Sequence, residues 1–198
     1  MLDIPLQEVI TAHTDALAAS SPASGFLPMI RFLLLQSSGP VSPDRLATAM
    51  HWTPSEVEAF LHASGLVIDD RGTIQTVAGS GCALDTLLFS MLTGRSNHVV
   101  SICPATGKEI RLTVTPRGIE DLDPPGVVLS LRLPGPATNA RNAEETICAY
   151  GHFFVDREHA SAWPGLHPEA VLLPVEDAVH LASALANAAR RYAEKTQV

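Results

Sequence analysis

The sequence predicts an α+β fold in which an N-terminal winged-helix-like helical domain, residues 1–79, precedes a mixed, mostly antiparallel β-sheet domain with flanking helices, residues 80–198. Three observations predict this arrangement. Apolar residues recur at helical spacing through the first sixty positions. Short segments with β-type alternation dominate after position 94. Between the two patterns, the small-residue run Gly79-Ser80-Gly81 marks a domain boundary.

The first half begins with two helices, and the second of them is so apolar that we expect it to be buried. The next two helices carry strong start signals. Ser42 precedes a proline at the first helical position, and Thr53 forms a capping box with Glu56. Two short strands follow around a turn of hairpin chemistry. The predicted segments are helices at residues 3–19 and 27–36, helices that start after Ser42 and Thr53, and strands at residues 66–68 and 73–77.

Three helices followed by a hairpin predict a winged-helix arrangement, and the obvious function of such a unit is DNA binding. The helix that would have to enter the major groove spans residues 55–64. It carries Glu56, Glu58 and His62 but no lysine or arginine. The chain has a formal net charge of −8 and a pI of about 5.4, which gives no general attraction to phosphate. We therefore expect no nucleic-acid partner, and a structural or substrate-covering role for this domain.

The second half opens with a helix rich in leucine, phenylalanine and methionine and then changes to β-type patterning. Turn residues separate the strands, and an alanine-rich helix closes the chain. A polar loop is expected at residues 134–145, and a turn at residues 164–168. The predicted helices are residues 83–92 and 175–195, and the predicted strands are residues 98–102, 109–115, 127–133, 146–155 and 171–173.

The cellular compartment is predicted from membrane-spanning segments, secretion signals and the number of cysteines. No apolar run approaches the roughly 20 residues that a membrane-spanning helix needs, and the N-terminus has no basic region followed by an apolar stretch, as a secretion signal would. The three cysteines are an odd number, so reduced thiols are expected rather than a disulfide framework. We expect a cytoplasmic protein without a membrane partner.

Cys82 and Asp85 lie three residues apart at the start of a predicted helix, a spacing that puts both side chains on one face. A helix N-terminus favours the thiolate, which is the reactive form of cysteine. A nearby carboxylate can carry a proton to or from the thiol. Taken alone, the pattern is explained at least as well by a packed cysteine and an ordinary first-turn carboxylate.

A longer set of motifs resembles the organomercurial (alkylmercury) lyase family. The most recognisable stretch surrounds Cys82 and Asp85. A second lies in the last third of the chain, where Cys148 precedes a His-Phe-Phe run by four residues, as a catalytic cysteine does in the family. The blocks occur in the family's order, and the resemblance covers most of the chain. The matching stretches are Gly81-Cys82-Ala83-Leu84-Asp85-Thr86-Leu87, Gly94-Arg95, Cys103-Pro104-Ala105-Thr106-Gly107, Leu112-Thr113-Val114 and Cys148 with His152-Phe153-Phe154.

The resemblance implies an enzyme that cleaves carbon–mercury bonds by protonolysis for mercury detoxification. It implies Cys82, Asp85 and Cys148 as catalytic residues, and the same three as the site that holds the Hg(II) product. Mercury(II) is a soft ion that prefers thiolate ligands. Cys103 matches a family cysteine with a packing role. No cofactor is implied. External thiols act as co-reactants, and thiols or a mercuric reductase remove the metal.

Two departures from the family concern the pocket wall. Some members carry a cysteine directly after the later catalytic one, where this chain has Ala149. Aromatic residues often precede the first motif, whereas this chain has residues 78–81 of sequence Ala-Gly-Ser-Gly. The resemblance therefore bears more firmly on the reaction type than on the preference for alkyl or aryl substrates.

Three alternatives stay open at this point. The protein could be a thiol-based metal-sensing, DNA-binding regulator, although its acidic recognition helix argues against that. It could be a lyase-like protein recruited to another thiol-dependent reaction. Finally, a strand would place Cys148, Tyr150 and His152 on one face, which could form a Zn²⁺ site with Cys82 and Asp85. A hydrogen-bonded structural histidine is the preferred interpretation of His152.

Overall fold

A computed structural model describes residues 4–19, 26–63, 66–72, 74–76, 82–135, 138 and 143–195 of the chain. The described part is an α+β protein, as the sequence predicts. Its helices are α1 (Leu6–Ala19), α2 (Phe26–Ser37), α3 (Pro43–Met50), α4 (Pro54–Ala63), α5 (Ala83–Thr93), α6 (Ala143–Thr146), α7 (Arg157–Ala160), α8 (Trp163–Leu166) and α9 (Val175–Lys195). Its strands are β1 (Leu66–Ile68), β2 (Ile74–Thr76), β3 (Asn97–Ile102), β4 (Glu109–Thr115), β5 (Gly118–Asp123), β6 (Val128–Arg132), β7 (His152–Phe154) and β8 (Ala170–Pro174).

The described strands form three small sheets, in the orders β1-β2, β3-β4-β5 and β7-β6-β8. Every recorded pairing is antiparallel. In the third sheet the central strand β6 pairs Ser130 with His152 of β7 on one side and with Leu172 of β8 on the other. This sheet carries the segment that follows Cys148, a predicted site residue.

The capping signals in the sequence are confirmed. Ser42 precedes α3 in an extended conformation, and its hydroxyl accepts a hydrogen bond from the Arg45 amide at 3.1 Å. At the start of α4 the Thr53 amide donates to the Glu56 carboxylate at 2.8 Å, and the Glu56 amide donates back to the Thr53 hydroxyl at 3.3 Å. Both helices thus begin where local side-chain chemistry satisfies their first free amides.

The helices of the first half pack against helices of the second. α1 contacts α9, while α2 contacts both α5 and α9. The apolar residues of α2 contribute to this packing, since Phe32 and Leu33 are buried. The predicted boundary at residues 79–81 lies outside the described residues, as do residues 20–25 between the first two helices.

The end of α5 remote from Cys82 is fixed by α9. Gly94 ends α5 in a left-handed conformation, and the Arg190 guanidinium of α9 donates to the Met91 carbonyl at 2.5 Å. Arg190 therefore caps the neighbouring helix α5. None of the described helices, α9 included, is both long enough and apolar enough to span a bilayer.

Four segments differ from the sequence predictions. The polar loop predicted at residues 134–145 is interrupted at its end by α6, which begins at Ala143. The strand predicted at residues 146–155 is wrong: α6 ends at Thr146, Cys148–Tyr150 form one turn of 3-10 helix, and only β7 is extended. The acidic segment Gly118–Asp123 forms β5 at a sheet edge, although no strand is predicted there. Its charges are tolerated because an edge strand keeps one side open to water. The predicted turn at residues 164–168 begins with the short helix α8.

His13 is a buried titratable residue on α1, with 5% of its surface exposed. Its Nδ1 lies 2.8 Å from the Val9 carbonyl. Burial lowers the pKa of His13 below its ordinary value of 6.5, against the hydrogen bond to the Val9 carbonyl, which raises it. The unfolded chain therefore binds a proton at a higher pH than the folded chain does. The contribution of His13 to stability is complete above pH 6.5 and is lost as the pH falls toward the lowered pKa.

We predict that the wild-type protein loses more stability on acidification than His13→Leu does. Between about pH 7.5 and 5.5, the extra fall in the free energy of unfolding is up to about 1 kcal/mol. Urea unfolding at the two pH values measures it. Equal losses in the two proteins would contradict the assignment, because the other seven histidines are shared.

Candidate active site

The first turn of α5 holds the first two predicted site residues. Cys82 is the N-cap, with extended backbone angles. Its backbone amide donates to the Asp85 carboxylate at 3.2 Å. The Cys82 carbonyl accepts the Thr86 amide at 3.1 Å and the Thr86 hydroxyl at 3.0 Å. These bonds direct the Asp85 carboxylate back over the N-terminus of the helix, on the side of the Cys82 thiol.

Cys148 lies on the 3-10 turn, which packs against the start of α5. The turn is closed by the Gly151 amide, which donates to the Cys148 carbonyl at 2.9 Å. The Gly151 carbonyl then accepts the Ala83 amide of α5 at 3.0 Å. In this position the Cys148 thiol donates to the Asp85 carboxylate at 3.6 Å. The ligand atoms of Cys82, Asp85 and Cys148 all lie within 4.8 Å of one another.

Gly151 is a site residue that the sequence reasoning missed. A Cβ atom built on it would lie 2.7 Å from the Cβ of Cys82 and 3.0 Å from its sulfur. Its φ of −89° is open to any residue, so the requirement for glycine is close approach and not backbone strain. The available signal was a lone glycine inside a segment otherwise patterned as a strand, which marks close backbone approach or a break.

The electrostatics of Cys82 correct one expectation. A helix N-terminus was expected to favour the thiolate, yet the pKa of Cys82 is raised well above its usual 9.0. The first cause is its hydrogen bond to Cys148, followed by burial and by the negative charges of Asp85 and Cys148. The Asp85 amide lowers the pKa but is outweighed. Cys82 is 6% exposed and holds its proton, whereas Cys148 is half-buried.

His152 lies outside the thiol–carboxylate cluster. Its Nε2 is 3.0 Å from the Ala149 carbonyl, and its ring contacts Trp163 edge-to-face with centroids 5.0 Å apart. Among the described residues, the cluster of possible metal ligands contains only Cys82, Asp85 and Cys148. Because Cys148 and Tyr150 are on a 3-10 turn rather than a strand, the shared face on which the zinc alternative depended is absent there. The hydrogen-bonded structural role of His152 agrees with its contacts.

Tyr150, at the end of the 3-10 turn, belongs to a group of polar contacts. The Arg132 guanidinium lies 5.1 Å above its ring and donates to its hydroxyl at 3.5 Å. A hydrogen bond to the Glu169 carboxylate, with minor burial, raises the pKa of Tyr150. The His167 ring meets the same tyrosine edge-to-face at 5.4 Å. These contacts fix Tyr150 from outside the turn, two residues after Cys148.

Cys103 is fully buried in the turn between β3 and β4, and is not part of the thiol–carboxylate cluster. Its amide donates to the Lys108 carbonyl at 2.8 Å, and its carbonyl accepts the Gly107 amide at 2.9 Å. Burial raises the pKa of its thiol, but hydrogen bonds from the Thr106 hydroxyl and from backbone amides, including that of Val155, reverse the direction and lower it. The sulfur thereby ties this turn to the end of β7, which fits a packing role.

Comparisons with known proteins converge on one family. The family model for alkylmercury lyase, MerB, matches residues 73–187. An alkylmercury lyase of Streptomyces lividans is 34% identical, over 94% of this chain and 95% of its own. One of Pseudomonas putida is 33% identical, over 83% of this chain and 84% of its own. The crystal structure of the mercury-bound form of MerB2 has the same fold, with a TM-score of 0.60 and 19% identity over 92% of this chain and 99% of its own.

We predict that iodoacetamide alkylates Cys148 before Cys82, because Cys148 is half-buried while Cys82 is buried with a raised pKa. In Cys148→Ala the hydrogen bond that is the largest cause of that raised pKa is gone, so the pH midpoint of Cys82 alkylation should move to lower pH. Peptide mass spectrometry after timed labelling measures both. Cys103→Ala serves as the control. An unchanged midpoint in Cys148→Ala would refute the coupling.

We also predict that Gly151→Ala destabilises the protein by about 1–3 kcal/mol, since the new methyl group overlaps Cys82 and forces the turn from α5. Gly165→Ala is the matched control, because a Cβ there meets nothing within 4 Å. Urea unfolding of both variants tests the claim. If the two variants unfold alike, the close approach is not what requires glycine.

Proposed function

The chain belongs to the alkylmercury lyase family, and we propose that it cleaves the carbon–mercury bond of organomercurials by protonolysis, in the service of mercury resistance. One observation carries the assignment to these residues. Two thiols and a carboxylate, from Cys82, Cys148 and Asp85, come within 4.8 Å of one another at one helix end. Two soft ligands and one proton carrier are the minimum set for this reaction.

Capture of the substrate begins at Cys148. This thiol is the more exposed of the pair, and it already donates toward the Asp85 carboxylate, which can accept its proton. The resulting thiolate binds the organomercury cation. A single thiolate does not release the organic group, because the carbon is not yet basic enough to take a proton. Cys82 meanwhile remains protonated beside the bound mercury.

Cleavage follows when Cys82 becomes the second ligand. Asp85 releases to solvent the proton that it took from Cys148. The mercury cation offsets the negative charges that raise the Cys82 pKa, so the Cys82 proton can then pass to Asp85. With two thiolates on mercury the carbon becomes basic, and Asp85 delivers a proton to it. The balance is one organomercury cation and two thiols giving one hydrocarbon, one mercury bis-thiolate and one released proton. No electron is transferred, and no organic cofactor is required.

The product is Hg(II) held by Cys82 and Cys148, with the Asp85 carboxylate beside it. External thiols are the co-reactants that restore the free site, because a soft ion exchanges readily between thiolates. Transfer of Hg(II) to a mercuric reductase is the alternative route of product release. Both routes require the two cysteines to stay reduced, which places the reaction in a reducing compartment such as the cytoplasm.

The N-terminal unit, residues 1–79, is proposed to cover the catalytic domain, residues 80–198, in a winged-helix-like form without binding DNA. α4, the counterpart of a recognition helix, exposes Glu56, Glu58 and His62. A surface of that charge repels phosphate. The packing of α2 on α5, the helix that begins at the catalytic thiol, supports the covering role.

The direct test uses phenylmercury with excess thiol, followed by gas chromatography of the benzene released. We predict turnover above the thiol-only background, and singly deuterated benzene in D₂O, because the proton on carbon comes through exchangeable groups. Cys82→Ser and Cys148→Ser should abolish release. Asp85→Asn should lower kcat by about 10²-fold or more, the usual loss for a proton-transfer group.

Cys103→Ser is the matched control, since it removes a thiol that is outside the cluster. Its turnover should stay within a few-fold of wild type even if its stability falls. Absence of benzene with the wild-type protein would sink the proposed function. Loss of turnover in a folded Cys103→Ser protein would instead show that the third thiol had been misassigned.

A further inference from the structure

We propose that Ser130 is a positioning residue that sets how closely Cys148 approaches Cys82. Ser130 lies on β6, the central strand of its sheet, and has no exposed surface. Its neighbours Leu129 and Leu131 are buried as well. A hydroxyl in such a strand is unfavourable unless it is hydrogen-bonded. Its partners therefore indicate what it does.

Both hydrogen-bonding functions of the hydroxyl are used on the segment that follows Cys148. Ser130 Oγ donates to the Tyr150 carbonyl at 2.6 Å. It accepts the His152 amide at 3.2 Å. The two contacts lie on either side of Gly151, so one side chain holds the peptide groups before and after that glycine. The hydroxyl stands in for a ladder bond at the point where the 3-10 turn becomes β7.

Gly151 is in turn held against α5. Its carbonyl accepts the Ala83 amide at 3.0 Å, and its amide closes the turn on the Cys148 carbonyl at 2.9 Å. Cys82 blocks any closer approach, since even a Cβ on Gly151 would lie 2.7 Å from the Cys82 Cβ. The turn is therefore held between Cys82, which it cannot approach more closely, and the two hydrogen bonds of Ser130. Removing the Ser130 hydroxyl removes these hydrogen bonds and lets Cys148 move away from Cys82.

The consequence concerns the second thiolate rather than the first. Binding of the substrate by Cys148 alone needs no particular sulfur–sulfur separation. Bridging of one metal by Cys82 and Cys148 does. This inference rests on the proposed function for its kinetic consequence, and on geometry alone for the spacing of the thiols.

The variant is Ser130→Ala, and the matched control is Thr115→Val. Thr115 is also buried, donates to the Gly118 carbonyl at 3.2 Å and accepts the Arg117 amide at 3.3 Å, all in a turn between β4 and β5. Each change removes one hydroxyl with one donated and one accepted bond. A loss specific to Ser130→Ala therefore reports on its location.

The first measurement avoids carbon–mercury chemistry. Phenylarsine oxide joins two adjacent thiols on one arsenic with release of one water and no change of oxidation state. We expect its affinity to fall at least tenfold in Ser130→Ala and to stay within twofold in Thr115→Val. The rate of Cys148 alkylation, which involves one thiol, should stay within twofold in both. A purely structural role predicts no such split between one-thiol and two-thiol reagents.

The second measurement is benzene release from phenylmercury. We expect kcat to fall at least tenfold in Ser130→Ala while KM changes less than threefold. Unchanged arsenical affinity in folded Ser130→Ala overturns the inference, whatever the activity. An inactive wild-type protein with the expected arsenical pattern overturns the proposed function alone.

If Ser130→Ala does not fold, the pair Ser130→Thr and Ser130→Val makes the same comparison, because the two side chains have the same shape and differ by the hydroxyl. The inference requires tighter arsenical binding by Ser130→Thr. Equal affinities overturn it.

Discussion

The Ala83 amide, in the first turn of α5, donates to the carbonyl of Gly151, and through this contact the two halves of the site meet. One free amide of a helix N-terminus is satisfied by a backbone group from a distant segment. The same contact brings Gly151 so close to Cys82 that no side chain fits between them. The separation of the two thiols follows from this backbone-to-backbone approach and not from the cysteine side chains alone.

The surrounding fold keeps both sides of that contact in place. On the helical side, α5 is packed by α2 and α9, and Arg190 binds the Met91 carbonyl at its far end. On the sheet side, β6 lies between β7 and β8, and its Ser130 hydroxyl fixes the segment that enters β7. A helix held at its C-terminal end and a turn tethered to a central strand leave the site little freedom to open. Such rigidity suits the proposed function, in which two sulfurs bind one atom.

Local chemistry explains why part of this structure could be predicted from sequence. The capping pairs of α3 and α4 act over three residues, so their signals survive without tertiary context. The apolar face of α2 and the long periodicity of α9 are likewise local properties. The segment around Cys148 is different. Its residues 146–155 are patterned as a strand, but Gly151 must approach Cys82, 69 positions earlier in the chain, and that tertiary contact breaks the strand into a turn and a short β7. No local pattern contains that information.

The same limit applies to the ionisation of Cys82. From sequence, its place at a helix N-terminus favours a thiolate. In the fold, that effect is opposed by the hydrogen bond to Cys148, by burial and by the charges of Asp85 and Cys148, and the pKa rises instead. The physical reason is the crowding of three acidic groups. Two full negative charges at the cluster's largest ligand-atom separation, 4.8 Å, repel by about 3 kcal/mol at an effective dielectric constant of about 20, before screening by solvent.

The raised pKa favours a protonated Cys82 in the empty cluster, and a cation that enters the cluster offsets the repulsion. In the proposed mechanism, loss of the Cys82 proton and binding of the metal by Cys82 are therefore coupled. A site of separate, readily ionised thiolates would bind mercury without any need to move a proton. In the proposed mechanism, the proton that Cys82 gives up is next to Asp85, which among the described residues of the cluster is the carboxylate that could pass it to the carbon. Charge crowding would then supply the proton when the second sulfur makes the carbon able to accept it.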